Sequence, residues 1–504
     1  AAAGLAISQG HGPPMFGVAF LGDPAAYPHL LALFIDGLGP DMAAIRLPSA
    51  IIGTLTIPLL YGLVRSLTNR RAATLAAILL TTSAVHIHFS RLAINVIEVP
   101  FFACLCLGFV VRGVDTRRDI WHLLAGTSAG LAIYFHFGGR LIGVVLGLIL
   151  LSELVVDRRH YRAWLRAIAT AGVGGLLAIM PLLAHLSSQP ELLTGHVASR
   201  GIWNHWGDLA AQFGTEPSNK VGIVWEQFVR TLSAFATRPD PTSGAQFYTF
   251  MDAPLLNSVL APIALLGLLA LCLHPHERHA RVLMIWFVVP ILLASVLTDT
   301  AGQAHRLIHP LLPALAAGAL LIDQVVQRVR LRVPERFRPS VIAVCVLVPL
   351  LAGAWDGSRY FQPWITDRIA PAHTAQARCL EALPTGTIAI IAGQPRIDAD
   401  HGPSRYLGDG ITRQDLHGNL SDAIPATSQS PIVILIHEWQ REHLMDLRSR
   451  YPGISEVEIE RPPGTRVLTV VAPPINGVDT MALLRQCASN AVSSSLLLMA
   501  RPES

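Results

Sequence analysis

Length, composition and charge place this 504-residue chain among membrane proteins. It is 52% hydrophobic and only 14% charged, whereas soluble domains carry about 25% charged residues. The formal net charge of +4 comes from arginines that lie between apolar runs, so it indicates membrane topology and excludes a nucleic-acid-binding surface as the source of the charge.

The N-terminal segment, residues 1–27, is polar and contains several glycines and prolines, which predicts a loop with short helices. We interpret it as the first outer loop. The chain begins with Ala1, without an initiator methionine or a cleavable signal pattern. Because a multi-pass protein usually opens with a helix, we expect the sequence to be truncated upstream of Ala1.

Ten apolar runs follow, and each is a candidate membrane span. They cover residues 48–64, 72–89, 96–111, 120–137, 141–156, 168–186, 254–273, 282–297, 308–325 and 341–355. Together they predict a mainly α, polytopic transmembrane helical bundle over residues 28–356.

Arginines fall into alternate connections between these runs. They cluster at residues 65–71, 112–118, 158–166, 278–281 and 328–338. Because short basic loops stay in the cytoplasm, the opposite side of the bundle is predicted to be extracytoplasmic. That side holds a long loop, residues 187–253, and everything after residue 356.

The outer loop contains an amphipathic stretch at residues 221–236, with apolar and aromatic side chains on one helical face. Such a helix fits the lipid headgroup layer. A helix packed on the ends of the spans explains the pattern equally well, and both interpretations stay open here.

The C-terminal region, residues 357–504, contains short β-rich runs in place of the long apolar runs of the bundle. Residues 387–392, 431–437 and 466–472 are short β-rich runs, and residues 438–450 read as a helix. A small extracytoplasmic α/β domain is therefore predicted. A further helix over residues 483–500 is left open because its middle is too polar for a span.

The six cysteines show no pattern that predicts a disulfide framework or a zinc site. Cys104, Cys106, Cys272 and Cys345 fall inside apolar runs, and the remaining two, Cys379 and Cys487, lie far apart in the sequence.

A family resemblance rests on an ordered set of short segments. A short apolar helix is followed by RLPSA at residues 46–50, then LLYGLVR, then HIHFSR at residues 86–91. This order resembles the GT-C membrane glycosyltransferases, especially glycosyltransferase family 39, which includes protein O-mannosyltransferases and lipid A aminoarabinose transferases. The similarity continues to about Asp323.

The resemblance implies a multi-pass cell-membrane enzyme with a GT-C-like bundle. Such an enzyme transfers a sugar, with inversion, from a polyprenyl-phosphate donor to an acceptor glycan, lipid or protein at the outer face. The expected partners are these substrates and membrane lipid, and no nucleic acid is expected. No cofactor is assigned with certainty, although a divalent metal is compatible with the family.

Charged and polar residues at the outer ends of the predicted spans are the site candidates, because a charge at membrane depth costs roughly 2.5–3.5 kcal/mol or more. They are Arg91, Glu98, His136, Arg140, Asp299, His305 and Arg306. We expect them to meet on one face of the bundle. A cationic pocket there suits a polyprenyl phosphate, whose headgroup arginines bind well.

Arg91 and His136 can also be explained without substrate binding, whereas function is favoured for the other residues discussed here. Arg91 either binds substrate or simply reaches the headgroup layer or pairs with Glu98. His136 either donates to a ligand or is an interfacial histidine with its hydrogen bonds satisfied. Arg140 is favoured for function because the two preceding glycines let a ligand approach the backbone. The pair His305 and Arg306 is favoured because relatives carry similar residues before a proline-containing run.

The resemblance also implies a position for the catalytic base. In the family it is an acidic residue of the first outer loop, usually in an Asp-Glu pair, which deprotonates the acceptor hydroxyl. No such pair occurs in residues 1–27, so the main base is expected upstream of Ala1. Asp23 is the acidic residue of this loop and is retained as a second catalytic candidate, with a plain Asp-Pro turn as the alternative.

Two other functional classes stay open. A transporter or flippase is expected to show inverted repeats and polar residues at mid-span, and neither is apparent in this sequence. A non-catalytic relative, whose C-terminal domain binds a glycan or a protein, is the third interpretation.

Overall fold

The computed structural model describes residues 2–17, 24–187, 199–241, 253–361, 369–394, 397–399, 402–416, 430–451, 453–460, 466–473 and 479–493. The chain forms two compact units. The larger comprises residues 10–34 and 43–360, and the smaller comprises residues 1–9, 35–42 and 361–504. The catalytic candidate Asp23 lies outside the described residues.

The larger unit is helical, and residues 26–34 of α2 belong to it. Its helices are α2 (Ala26–Leu38), α3 (Met42–Leu67), α4 (Arg70–Thr82), α5 (Ala84–Arg91), α6 (Glu98–Thr116), α7 (Asp119–Ala132), α8 (Arg140–Val156), α9 (Tyr161–Leu186), α10 (Trp206–Phe213), α11 (Lys220–Ser233), α12 (Leu260–Cys272), α13 (Arg278–Pro290), α14 (Ala304–Arg332) and α15 (Arg338–Phe361). Helix α13 continues as a π-helix over Ile291–Val296.

Seven helical segments of the described chain are long and apolar enough to cross a membrane. They are Met42–Leu67, Glu98–Thr116, Phe137–Val156, Arg158–Leu186, Arg278–Val296, Ala304–Arg332 and Arg338–Phe361. Helices α4 and α5 add an eighth if they count as one span bent by 58°. The predicted polytopic helical bundle is confirmed.

Seven or eight of the ten expected spans are long and apolar enough within the described residues. The predicted run 72–89 is broken at Ser83, which adopts an extended backbone conformation and accepts a hydrogen bond from the backbone amide of His86. The runs 120–137 and 254–273 form α7 and α12, of 14 and 13 residues, whereas a bilayer core needs about 20. Hydropathy marked these runs correctly as apolar but overestimated their helical length.

Helix α14 lies at the buried centre of the bundle, since 83% of its most apolar stretch is buried. It approaches α12 so closely that a Cβ atom at Gly267 would collide with the carbonyl oxygen of Ala317. Small residues at such a crossing let two helix backbones touch, which is a common way to pack helices within membranes. The close approach lies at Ala317, in the middle of α14.

The smaller unit contains, among its described residues, a five-stranded sheet with helices. The strands are β1 (Ile388–Ala392), β2 (Thr412–Asp415), β3 (Ile432–His437), β4 (Ser455–Glu460) and β5 (Arg466–Ala472), and the helices are α1 (Ala2–Ser8), α16 (Ile369–Glu381), α17 (Gly402–Leu407), α18 (Glu442–Arg450) and α19 (Thr480–Ser493). The strand order is β2-β1-β3-β5-β4. Strand β1 pairs in parallel with β2 and β3, and β5 pairs antiparallel with β3 and β4.

The three predicted strands and the small α/β architecture are confirmed. Strands β2 and β4 escaped prediction because they are the edge strands of the sheet and carry mostly polar side chains, TRQD and SEVEIE. The region left open at residues 483–500 is helical in its described part, within α19.

Cys379 of α16 and Cys487 of α19 form a disulfide across 108 residues of sequence. The sequence analysis found no disulfide framework, and that conclusion was wrong for this pair. Sequence separation carries no information about the packing of two helices, and α16 and α19 are neighbours that share a buried apolar core.

Candidate functional site

The first turn of α14 presents Arg306, which the preceding loop holds in place. Its Nη1 donates to Thr298 Oγ1 at 2.6 Å and to the backbone oxygen of Thr300 at 3.2 Å. Its Nη2 donates to Asp299 Oδ1 at 3.1 Å. The guanidinium is therefore oriented by three groups that lie within eight residues of it in the sequence.

A second arginine shares the same carboxylate. Arg200 Nη1 lies 2.9 Å from Asp299 Oδ2, and the Asp299 amide donates to the Arg200 carbonyl oxygen at 2.8 Å. Burial alone would raise the pKa of the Asp299 carboxyl, but Arg306 and Arg200 hold that pKa below its usual value. Two guanidinium groups on one ionised carboxylate leave one net positive charge, which favours an anionic ligand.

Two predicted histidines lie close to this cation pair. His305 is within electrostatic range of Arg306, Arg200 and His136, and His136 is within range of Arg306. The turn before α8 and the first turn of α14 therefore lie within electrostatic range of each other, and the shared role predicted for His136, His305 and Arg306 stays a prediction.

His136 is held as a neutral hydrogen-bond donor. Burial and the charge of Arg306 lower its pKa to about 4. Its Nδ1 accepts a hydrogen bond from the Gly138 amide at 2.9 Å, so we infer that the ring proton is on Nε2. A neutral imidazole of this kind can donate one hydrogen bond to an anion without adding a charge.

Arg140 begins α8, one helical turn after His136, and its guanidinium lies 4.7 Å from the centre of the Phe137 ring. The two preceding glycines have a packing reason. A Cβ atom at Gly139 would collide with the Ala132 carbonyl oxygen, and one at Gly138 would lie 2.9 Å from His136 Nδ1. The glycines thus allow the turn to form, and the role of Arg140 in binding stays a prediction.

Arg91 and Glu98 do not form the pair considered from the sequence. The Arg91 guanidinium carbon lies 5.6 Å from the centre of the Tyr360 ring. The hydroxyl of Tyr360 is 3.2 Å from His88 Nδ1. Glu98 is fully buried, and neither of its carboxyl oxygens is hydrogen-bonded to another residue in the described part of the chain. The two residues therefore have separate environments.

Three segments converge beside the cation pair. The Ala26 amide donates to the Tyr134 carbonyl oxygen at 3.3 Å, and Asn95 Nδ2 donates to the Phe135 carbonyl oxygen at 2.7 Å. Val99 packs next to Gly138, since a Cβ built there would be 3.5 Å from its methyl group. The starts of α2 and α6 thus adjoin the turn that carries His136.

Helix α11 supports the loop of Arg306, a role the sequence did not reveal. Gln227 Nε2 donates to the Thr298 carbonyl oxygen at 2.7 Å, and Thr231 Oγ1 is 2.8 Å from Ser295 Oγ. These polar residues lie four apart on the buried side of an amphipathic helix, and this spacing was the available signal. The side chains of Val221 and Trp225 remain exposed, so the helix packs on the spans and also presents an apolar stripe.

No group of three or more His, Cys, Asp or Glu side chains suited to a metal ion occurs within the described ranges. We therefore assign no residues of this chain to the divalent metal that the family resemblance allows.

Comparison with known proteins gives one family match and several similar structures. Residues 23–186 match the dolichyl-phosphate-mannose-protein mannosyltransferase family model. ArnT from Cupriavidus metallidurans bound to undecaprenyl phosphate is 14% identical, with a TM-score of 0.54 over 94% of this chain and 92% of that chain. The same protein in the apo state is 13% identical, with a TM-score of 0.52 over 96% and 93%.

A third similar structure is the archaeal oligosaccharyltransferase AglB from Archaeoglobus fulgidus, in complex with an inhibitory peptide and a dolichol-phosphate. It is 13% identical, with a TM-score of 0.50 over 97% of this chain and 72% of that chain. No curated protein matches the sequence.

The structural matches extend over nearly the whole chain at low identity, so they define its fold. The family match covers the segment that contains the resemblance described from the sequence. The recognition made from the sequence is confirmed as a similarity: residues 23–186 match the dolichyl-phosphate-mannose-protein mannosyltransferase family model, and the chain shares its fold with ArnT and AglB. Its long apolar helices indicate a multi-pass membrane protein.

Proposed function

We propose that this protein transfers a sugar from a polyprenyl-phosphate donor to an acceptor and that the cations around Arg306 bind the donor phosphate. The observation that carries the proposal is the net positive charge of Arg306, Arg200 and Asp299 at the end of the buried helix α14. The proposal is supported by the GT-C fold, and by the undecaprenyl phosphate and dolichol-phosphate bound in two similar structures.

The chemistry follows from the charge. The acceptor hydroxyl attacks the anomeric carbon and gives its proton to a base, the bond from that carbon to the phosphate oxygen breaks, and the lipid phosphate leaves with inversion. Negative charge grows on the leaving phosphate, so preorganised donors such as Arg306 and the neutral His136 lower the barrier. Asp23, the acidic residue of the first loop, is the proposed base.

We propose the extracytoplasmic face as the location of this reaction. The alternation of arginine-rich connections supports it. The Cys379–Cys487 disulfide supports it independently, because disulfides persist in oxidising compartments and are rare in the cytosol. On this proposal the smaller unit lies outside the membrane, where it can meet an acceptor.

A donor panel tests the proposal. The purified chain, in detergent with a membrane extract as acceptor source, is given radiolabelled undecaprenyl-phosphate and dolichyl-phosphate sugars in parallel with the matching nucleotide sugars. We expect label to leave a lipid phosphate and not a nucleotide. Direct use of a nucleotide sugar would contradict the proposal. A second assay uses vesicles that contain the purified chain. Movement of an intact lipid-linked sugar across these vesicles without sugar transfer would also contradict the proposal, since that result is expected of a flippase.

Helix α11 provides a test of how Arg306 is positioned. Gln227→Ala removes the donor to the buried Thr298 carbonyl, a loss of about 1–3 kcal/mol for an unsatisfied buried group. We expect undecaprenyl phosphate to bind roughly tenfold more weakly, because the loop loses an anchor. Val221→Ala, at an exposed position of the same helix, is the matched control and should stay within about twofold. Equal affinities for the two variants would show that Gln227 does not help to position Arg306 for phosphate binding.

A further inference from the structure

We propose that Glu98, Tyr27 and Ser49 form a binding site for the hydroxyl groups of a sugar, beside the phosphate site. The inference rests on the proposed function and deepens it, since it assigns the ring of the substrate to residues that differ from those that bind its phosphate.

The three side chains form a buried polar group inside an apolar bundle. Glu98 and Ser49 are fully buried, and Tyr27 is 4% exposed. The Tyr27 hydroxyl is 2.9 Å from Ser49 Oγ, and Tyr27 lies within electrostatic range of Glu98. The first turns of α2 and α6 and the third turn of α3 thus bring two hydroxyls and one carboxyl together.

Glu98 has acceptor capacity that its own neighbours do not use. Apart from contact with its own backbone amide, neither carboxyl oxygen has a hydrogen-bond partner anywhere in the described ranges. A buried carboxyl without partners is costly in either protonation state, and natural proteins seldom keep one without a function. Hydroxyl groups of a ligand would supply the missing donors.

The position of this group fits a molecule that is also bound at the cation pair. Val99, the residue after Glu98, packs against the turn at Gly138 that holds the ring of His136. His136 is in turn within electrostatic range of Arg306. A phosphate near Arg306 therefore places an attached sugar ring toward α2 and α6.

The hydrogen-bonding groups of Glu98, Tyr27 and Ser49 complement a sugar better than a phosphate. Phosphate oxygens accept hydrogen bonds, as do the carboxyl oxygens that Glu98 leaves without a partner, whereas sugar hydroxyls donate to a carboxyl oxygen and also exchange hydrogen bonds with Tyr27 and Ser49. Glu98 was predicted from the sequence as a substrate- or phosphate-binding residue, and the present assignment takes the first of these roles. The hydroxyls can belong to the donor sugar or to the acceptor.

Binding and turnover of the whole chain in detergent test this assignment. The variants are Glu98→Gln, which keeps the shape of the side chain, and Tyr27→Phe, which removes one hydroxyl and keeps the ring. The probes are undecaprenyl phosphate without sugar and the lipid-phosphate sugar that the donor panel shows to be consumed. The readouts are Kd for each probe and KM for the acceptor.

We expect both variants to bind undecaprenyl phosphate within about twofold of wild type. If the site binds the donor sugar, Kd for the sugar-bearing lipid rises about tenfold, the effect expected for the loss of one hydrogen bond. If it binds the acceptor, that Kd is unchanged and the acceptor KM rises instead.

Two results would overturn the inference. One is unchanged donor Kd and acceptor KM in both variants. The other is an equal loss of affinity for undecaprenyl phosphate with and without sugar, which would return Glu98 to the phosphate site. A wild-type chain that fails to bind undecaprenyl phosphate at all would instead overturn the proposed function, so the two failures are distinguishable.

Discussion

Arg306→Ala is expected to lower kcat/KM for transfer from a polyprenyl-phosphate sugar by about 10²–10³-fold, the usual effect of removing one preorganised stabiliser of developing charge. Arg306 is only 15% exposed and is fixed by Thr298 and Asp299, so no reorganisation is needed when the phosphate departs. Its loss also leaves Asp299 with Arg200 alone, and the net positive charge disappears.

Two further substitutions show whether the charge or the shape of Arg306 matters. Arg306→Lys retains the charge but loses the planar fork that orients the side chain, so we expect activity between wild type and the alanine variant. Arg159→Ala removes an exposed arginine of the connection before α9 and serves as the matched control with unchanged activity. Transfer rates of Arg306→Ala equal to those of Arg159→Ala would exclude Arg306 from the reaction.

Loss of the Cys379–Cys487 disulfide is expected to have the second large effect. It closes 108 residues of sequence, and removal of a native disulfide typically costs about 2–5 kcal/mol. We expect Cys379→Ser to unfold the smaller unit at a lower temperature than wild type and to make it more sensitive to protease. The transmembrane helices of the larger unit should retain their helical signal.

Chemical labelling provides the control for that experiment. A thiol reagent should label Cys272, an exposed free cysteine, in the wild-type chain without reductant, and Cys379 and Cys487 only after reduction. Cys272→Ser should leave the melting temperature unchanged. Quantitative labelling of Cys379 in the untreated chain would show that the disulfide does not form and would remove one support for an extracytoplasmic smaller unit.

The fold could be predicted from the sequence where burial alone determines the pattern. Strand β3 is buried along its whole length, and its sequence is a continuous apolar run. The long spans are recognised by their high hydropathy. Edge strand β4 consists mostly of polar residues that are exposed or partly buried, with Ile459 as its one buried position, so its sequence resembles a polar loop. The break at Ser83 depends on one side-chain cap, a local effect that hydropathy does not register.

The site could be predicted in part, because membrane burial makes charged residues at helix ends conspicuous. His305 and Arg306 stood out for this reason, and the structure brings them close to His136. Arg200 and Gln227 did not stand out, because they lie in a polar outer loop where such residues are ordinary. Their importance comes from long-range contacts to Asp299 and Thr298, which no local pattern encodes.

The central claim is that the cations at the starts of α8 and α14 bind one lipid phosphate, and equilibrium binding of undecaprenyl phosphate tests it most directly. We predict that Arg306→Ala and Arg140→Ala each weaken binding at least about tenfold, the loss expected for a charge-assisted hydrogen bond, while Arg159→Ala binds like wild type. Undiminished affinity in both Arg306→Ala and Arg140→Ala would contradict the account.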